Sequence, residues 1–187
     1  MYNPFPFDDP KPINRPKLSE ETINSVVTGG TPNVAKKFFA GIADRIQSEG
    51  VIVGIDGYTT TNWKQFVDLL ARECTIAGVE LEVVDSLAAV LKPNEVIDEM
   101  IDSRLIWDTK IDPTLLYGKL YHGGYIGLFD EAKVAHFQKA VPAMKAPGKL
   151  VVVAGYGSMI AEFCDMYDVK CWFDITPMRS ILRIRNG

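Results

Sequence analysis

Apolar residues along this chain fall into two kinds of run, and the two kinds alternate. Short apolar clusters stand at VIVGI (51–55) and LVVVA (150–154), unbroken, and at LEVV (81–84) and VKCWFDI (169–175), each interrupted by charged residues. Hydrophobicity without alternation suits a strand buried on both faces, as in a parallel sheet, so the unbroken runs are predicted to be such strands. The two interrupted segments are read as strands beside them. Between them, apolar positions return at the spacing of a helix that buries one stripe. A short helix is predicted from Ser19, which caps it, to about residue 27, closed by Gly29 and Gly30. A longer one opens with Thr31 as N-cap and Pro32 at the first helical position, and stops at Gly50. Val34, Phe38, Ile42 and Ile46 form its buried stripe. Further helices are predicted over 63–77, with Phe66, Leu69 and Leu70 inward and Gly78 as its end, and over 93–102, 131–141 and 178–185. A Gly- and Tyr-rich stretch, LLYGKLYHGGYIGLFD, precedes Asp130.

Strands alternating with helices specify an α/β layer fold, here four or five mainly parallel strands with helices on both faces. Five of the eleven prolines fall within residues 1–16, which reads as an extended arm because proline locks φ and restrains the residue before it. Its Phe5 and Phe7 would pack on the body or on a second copy in a homo-oligomer. The expected organisation is a single α/β domain over 1–187: arm 1–16, N-terminal helices 17–50 and core 51–187.

Composition narrows the partners. The 187 residues are 47% hydrophobic and 24% charged, with net charge −4. A chain this long buries roughly 70% of its unfolded surface and needs no staple. A diffuse nucleic-acid or anionic-membrane binder would be basic, so neither partner is expected. No apolar run approaches the roughly 18–20 residues of a membrane span, and MYNPFPFDDPKP lacks the regions of a signal peptide. Cys74, Cys164 and Cys171 form no C-x-x-C pair, which suits reduced thiols in the cytoplasm. His122 and His136 have no ligand spacing around them, so no metal is expected.

In such sheets ligands bind at the turns beyond the carboxyl ends of the strands. The first turn, GIDGYTTTNWK (54–64), has the place of a phosphate-binding loop running into a helix N-terminus. It resembles the opening of uridine-kinase-like P-loop kinases, G-I-D-G-x-x-G-x-G-K-[ST]-T. Gly54, Ile55, Asp56, Gly57, Phe66, Leu69, Leu70 and Ala71 fit that pattern. The working residues do not. Asn62 replaces the second motif glycine, Trp63 the phosphate-binding lysine, and Lys64 the Mg²⁺-binding hydroxyl residue. Losing them removes a charge-assisted contact to the β/γ-phosphates and a metal ligand. Three readings follow: a loop that has lost ATP chemistry, a loop for another phosphate compound, or an active variant. In the latter two, Gly57, Thr59, Thr60, Thr61, Asn62 and Lys64 hold phosphate. Asp85, ending the second strand, matches the base that activates the accepting hydroxyl in nucleoside-kinase-like enzymes; otherwise it caps a helix or turn. Gly155 and Gly157 follow the third strand, which carries no Walker B acid, and either face a ligand or permit close packing. Arg104, Asp108, Lys110 and Asp112 read as solvated surface. Asp174, Arg179, Arg183 and Arg185 resemble remnants of a kinase segment in which an Asp ends a strand before an arginine-bearing helix.

Taken together, DPTLLYGKL, GLFD, VVVAGYGS and KCWFDITPMRSILRIRNG resemble the N-terminal domain of long-form class I mannose-6-phosphate isomerases over about residues 50–187. That resemblance implies a three-layer P-loop-kinase-like sandwich preceding a zinc-binding cupin that performs the isomerisation. No stretch here supplies the paired His and Glu ligands of a zinc cupin, so the isomerase site is expected elsewhere. The implied role is a regulatory or ligand-binding companion taking a phosphorylated small molecule or an assembly partner. ATP with Mg²⁺ belongs only to the rival, an active small-molecule kinase. An oligomerisation module is the third reading.

Overall fold

Each of the four apolar clusters forms a strand. In the computed structural model, which describes residues 19–24, 30–58, 60–101, 110 and 121–186, these are β1 (Val51–Gly57), β2 (Glu80–Asp85), β3 (Lys149–Ala154) and β4 (Val169–Phe173). The proline-rich arm and the self-association assigned to it, Thr59, Arg104, Asp108, Asp112 and the DPTLLYGKL motif lie outside the described residues. The four strands form one parallel sheet in the order β2-β3-β1-β4, with Val53 of β1 opposite Val152 of β3 and Val169 of β4.

Successive strand side chains point to opposite faces, so the VIVGI run feeds two cores at once. Val51, Val53 and Ile55 join Leu150 and Val152 on one face, under helices α2 (Gly30–Glu49) and α3 (Trp63–Ala77). Ile52 joins Val151 and Val153 on the other, under α4 (Ser86–Val90), α6 (Glu131–Ala143) and α7 (Ala161–Cys164). The result is a three-layer α/β sandwich. Two further helices, α5 (Asn94–Met100) and the terminal α8 (Pro177–Asn186), match the predicted segments to within a few residues. The predicted N-terminal helix is represented by α1 (Glu20–Thr22).

Helix α3 has its predicted bounds because both ends are specified locally. The Asn62 side chain accepts from the Gln65 N–H, and Gly78 closes the helix in the left-handed conformation at φ 67°. Helix α2 begins at Gly30, a residue ahead of the expected Thr31 cap. Its buried residues are Ala35, Phe39, Ile42 and Ile46, with Val34 and Phe38 partly buried at the margin.

A carboxylate ties the bottom of the sheet together. Asp168 accepts the Ile52 N–H at 2.8 Å, and its other oxygen meets Lys145 Nζ at 2.8 Å and an Arg45 guanidinium nitrogen at 3.3 Å. Burial alone would raise the Asp168 pKa; the hydrogen bonds from Lys145 and Ile52 and the two positive charges outweigh it and hold it below the ordinary carboxylate value. A depressed folded pKa stabilises the protein above the unfolded value, about 3.9, and that contribution is lost as pH falls through the lower folded value. Asp168→Asn is therefore expected to cost about 1–3 kcal/mol at neutral pH. Denaturant titrations of both proteins should show the gap closing in acid; an equal gap at both pH values would contradict an ionic tie.

Candidate functional site

The sheet order creates a crevice at one place. From β1 the chain leaves over one face through α3; from the adjacent β3 it leaves over the other through α7. Adjacent strands with diverging connections form a topological switch point, where ligands of open α/β sheets bind. The residues meeting there are Gly57 at the end of β1, 58 and 60–62 after it, and 155–160 after β3.

Those loops are bonded to each other. Asp56, only 6% exposed, accepts the Gly57 N–H on one carboxylate oxygen at 2.7 Å and the Met159 N–H on the other at 3.1 Å. The Ser158 hydroxyl donates to the Ile55 carbonyl at 2.6 Å, and the Tyr167 hydroxyl to the Ser158 carbonyl at 2.7 Å. Burial, with Cys164 and Asp56 adding to it, pushes the Tyr167 pKa upward, so the phenol stays a donor.

The amides a phosphate loop would aim at an anion are directed inward instead. The Gly57 N–H goes to Asp56, the Tyr58 N–H to the Phe173 carbonyl at 2.9 Å, and the Thr61 N–H to the Tyr58 carbonyl at 3.1 Å. The Thr60 N–H donates to the Tyr156 hydroxyl at 3.0 Å, from a residue with φ 70°. The Tyr156 ring also meets Trp63 edge-on, the ring centroids 4.6 Å apart. The Thr60 hydroxyl bonds Ser180 at 2.9 Å, and the Thr61 hydroxyl donates to the Tyr58 carbonyl at 2.7 Å. Lys64 points along its own helix, its ammonium 2.8 and 3.0 Å from the Asp68 carboxylate oxygens, with the side chain 80% exposed.

Among the other sequence-predicted residues, Asp85 caps a helix and the two glycines allow close packing. Asp85 is exposed and caps α4, accepting the Ala88 N–H at 3.0 Å. A Cβ on Gly155 would run into the Ser86 hydroxyl, and one on Gly157 would sit 3.1 Å from the Tyr125 ring. Burial pushes the Cys74 and Cys171 thiols up to about 11, so neither is a thiolate nucleophile at neutral pH.

Beside the closed loop lies an open cleft of about 370 Å³. Asp174, Arg179 and Arg183 line it together with Thr61 and Asn62, while Arg185 does not. Thr31, Gln65, Phe173, Ile175 and Thr176 complete it; Thr31 reads in the sequence only as a helix cap, and Gln65 belongs to none of its motifs. Tyr156 was also missed; its signal is a tyrosine set between two glycines directly after a buried strand. Among the described residues no group of three or more His, Cys, Asp or Glu is placed to hold a metal, and no helix is long and apolar enough to cross a membrane. No curated protein matches the chain. A family model described as a domain of unknown function, DUF8485, matches residues 39–187, and the chain belongs to that family.

Proposed function

We propose that this chain is a degenerate P-loop-kinase-like domain that binds a phosphorylated small molecule, as the regulatory or ligand-binding companion of a sugar-phosphate isomerase whose zinc cupin lies outside residues 1–187. The observation that carries the reading is the state of the loop. Gly57, Tyr58, Thr60 and Thr61 spend their amide hydrogens on protein oxygens, and Lys64 is paired with Asp68. Phosphoryl transfer depends on positioned donors and cations around the phosphates, and here those groups are engaged elsewhere. The companion role draws support from an exposed apolar face on α8, where Met178, Ile181 and Leu182 stand at i, i+3 and i+4 and are 70%, 53% and 46% exposed. Faces of this kind mark protein contacts.

A thermal-shift titration separates this reading from its rival, a kinase using Asp85 as base. Mannose 6-phosphate at about 100 times its Kd is expected to stabilise by roughly 2.7 kcal/mol, a midpoint rise of about 5–10 °C for a chain of this size. Mg-ATP at millimolar concentration is expected to give no shift. A saturating Mg-ATP shift, with transfer lost in Asp85→Ala, would establish the kinase instead.

A further inference from the structure

We infer that the cleft beside the closed loop is a binding site for a small phosphomonoester, with Arg179 and Arg183 as its anion clamp. The inference rests on the reading above, in which the loop itself no longer receives phosphate. Three helices begin at this cavity. Thr31 stands in the first turn of α2, Asn62 and Gln65 at the start of α3, and Thr176 immediately before α8. These helices have 20, 15 and 10 residues, so each presents a positive macrodipole end to the same space. A helix start alone selects little; here three converge on a cavity that also holds two guanidinium groups.

The arginines supply the specificity. Positions 179 and 183 are four apart on α8, hence on one face of the helix. Arg183 is already held, since its guanidinium donates to the Thr60 carbonyl, and the neighbouring Thr60 hydroxyl is tied to Ser180. Ordering a cation before the ligand arrives lowers the cost of binding. The planar guanidinium fork matches phosphate oxygens in a bidentate manner. Asp174 is the acid in the lining, and one of its carboxylate oxygens accepts the Ile175 N–H at 2.8 Å. The balance favours a dianion over a neutral ligand. Thr61 and Gln65 supply polar groups for the hydroxyls of a phosphorylated polyol, and Phe173 an apolar wall. The volume, about 370 Å³, lies at the small end of the range for small-molecule sites.

The test is calorimetric titration of the whole chain with inorganic phosphate, mannose 6-phosphate and mannose. Both phosphates should bind saturably and mannose should not; tighter binding of the ester than of free phosphate identifies a sugar phosphate as the ligand class. Arg179→Gln, an exposed helix position, should weaken binding about 10-fold or more, and Arg179→Lys less, because charge survives without the fork. Arg183→Gln should weaken it comparably, and Lys64→Gln should leave it unchanged. As a second readout, the Asn62 and Gln65 side-chain NMR signals should move with phosphate. The inference is overturned if neither phosphate binds saturably, or if binding survives both Arg179→Gln and Arg183→Gln. Nucleotide binding that is indifferent to Arg179→Gln would overturn the closed-loop reading and leave the phosphate arms to decide the cleft.

Discussion

Asp56→Ala should lower the stability of the protein by about 3–5 kcal/mol, the largest loss expected from any single polar side chain around the crevice. The carboxylate accepts a buried amide hydrogen from Gly57, at the end of β1, and a part-buried one from Met159, on the loop after β3. Hydrogen bonds to a charged group contribute about 1.5–3 kcal/mol each, and removing the acceptor strands the Gly57 donor away from water. For a chain of this length the melting midpoint should fall by roughly 10 °C. Asp56→Asn keeps an oxygen for one amide but turns an NH₂ group toward the other, so it should fall between the two. Differential scanning calorimetry of the three proteins measures this. If Asp56 served a ligand rather than the loops, Asp56→Ala would melt with the parent protein.

Gly57→Ala should be nearly as damaging, at about 3 kcal/mol, for a steric reason. A Cβ there would run into the Phe173 carbonyl oxygen and come within 3.0 Å of the Thr61 hydroxyl. That carbonyl already accepts the Tyr58 N–H, so β4 cannot retreat without breaking the bond that shapes the loop. Denaturant midpoints of the parent and variant report the cost directly. A variant with parental stability and an altered phosphate response would instead assign this glycine to ligand approach.

The contrast between these two residues and Lys64 shows what sequence reading reaches. The strands were legible because VIVGI and LVVVA are apolar without a break, which only a doubly covered strand tolerates. Helix α3 was legible to the residue because Asn62 and Gly78 mark its ends by their own chemistry. The stripe on α2 was read one position early in its first half, since the Phe38–Phe39 pair offers two equivalent four-residue series and only packing chooses Phe39. Helix α4 is five residues long, too short for periodicity, and its one local signal, Asp85, fits a cap and a catalytic base equally well. The turns after β1 and β3 fall where the apolar runs end, but the bonds that fill them were not legible. The Thr60–Tyr156 bond joins residues 96 positions apart, and nothing local to either announces it. The cleft is the same case: Thr31, Gln65 and Thr176 belong to three different helix starts, and only the strand order brings them to Arg179 and Arg183.

The most direct measurement is an amide-resolved NMR titration of the chain with Mg-ATP, following Gly57, Tyr58, Thr60 and Thr61. The internal partners found for these amides predict that all four signals hold their positions at millimolar nucleotide and that the Thr60 amide exchanges slowly with solvent. Saturable movement of the four together, with loss of protection at Thr60, would mean that Tyr156 swings away and the loop still grips a triphosphate, which contradicts the account.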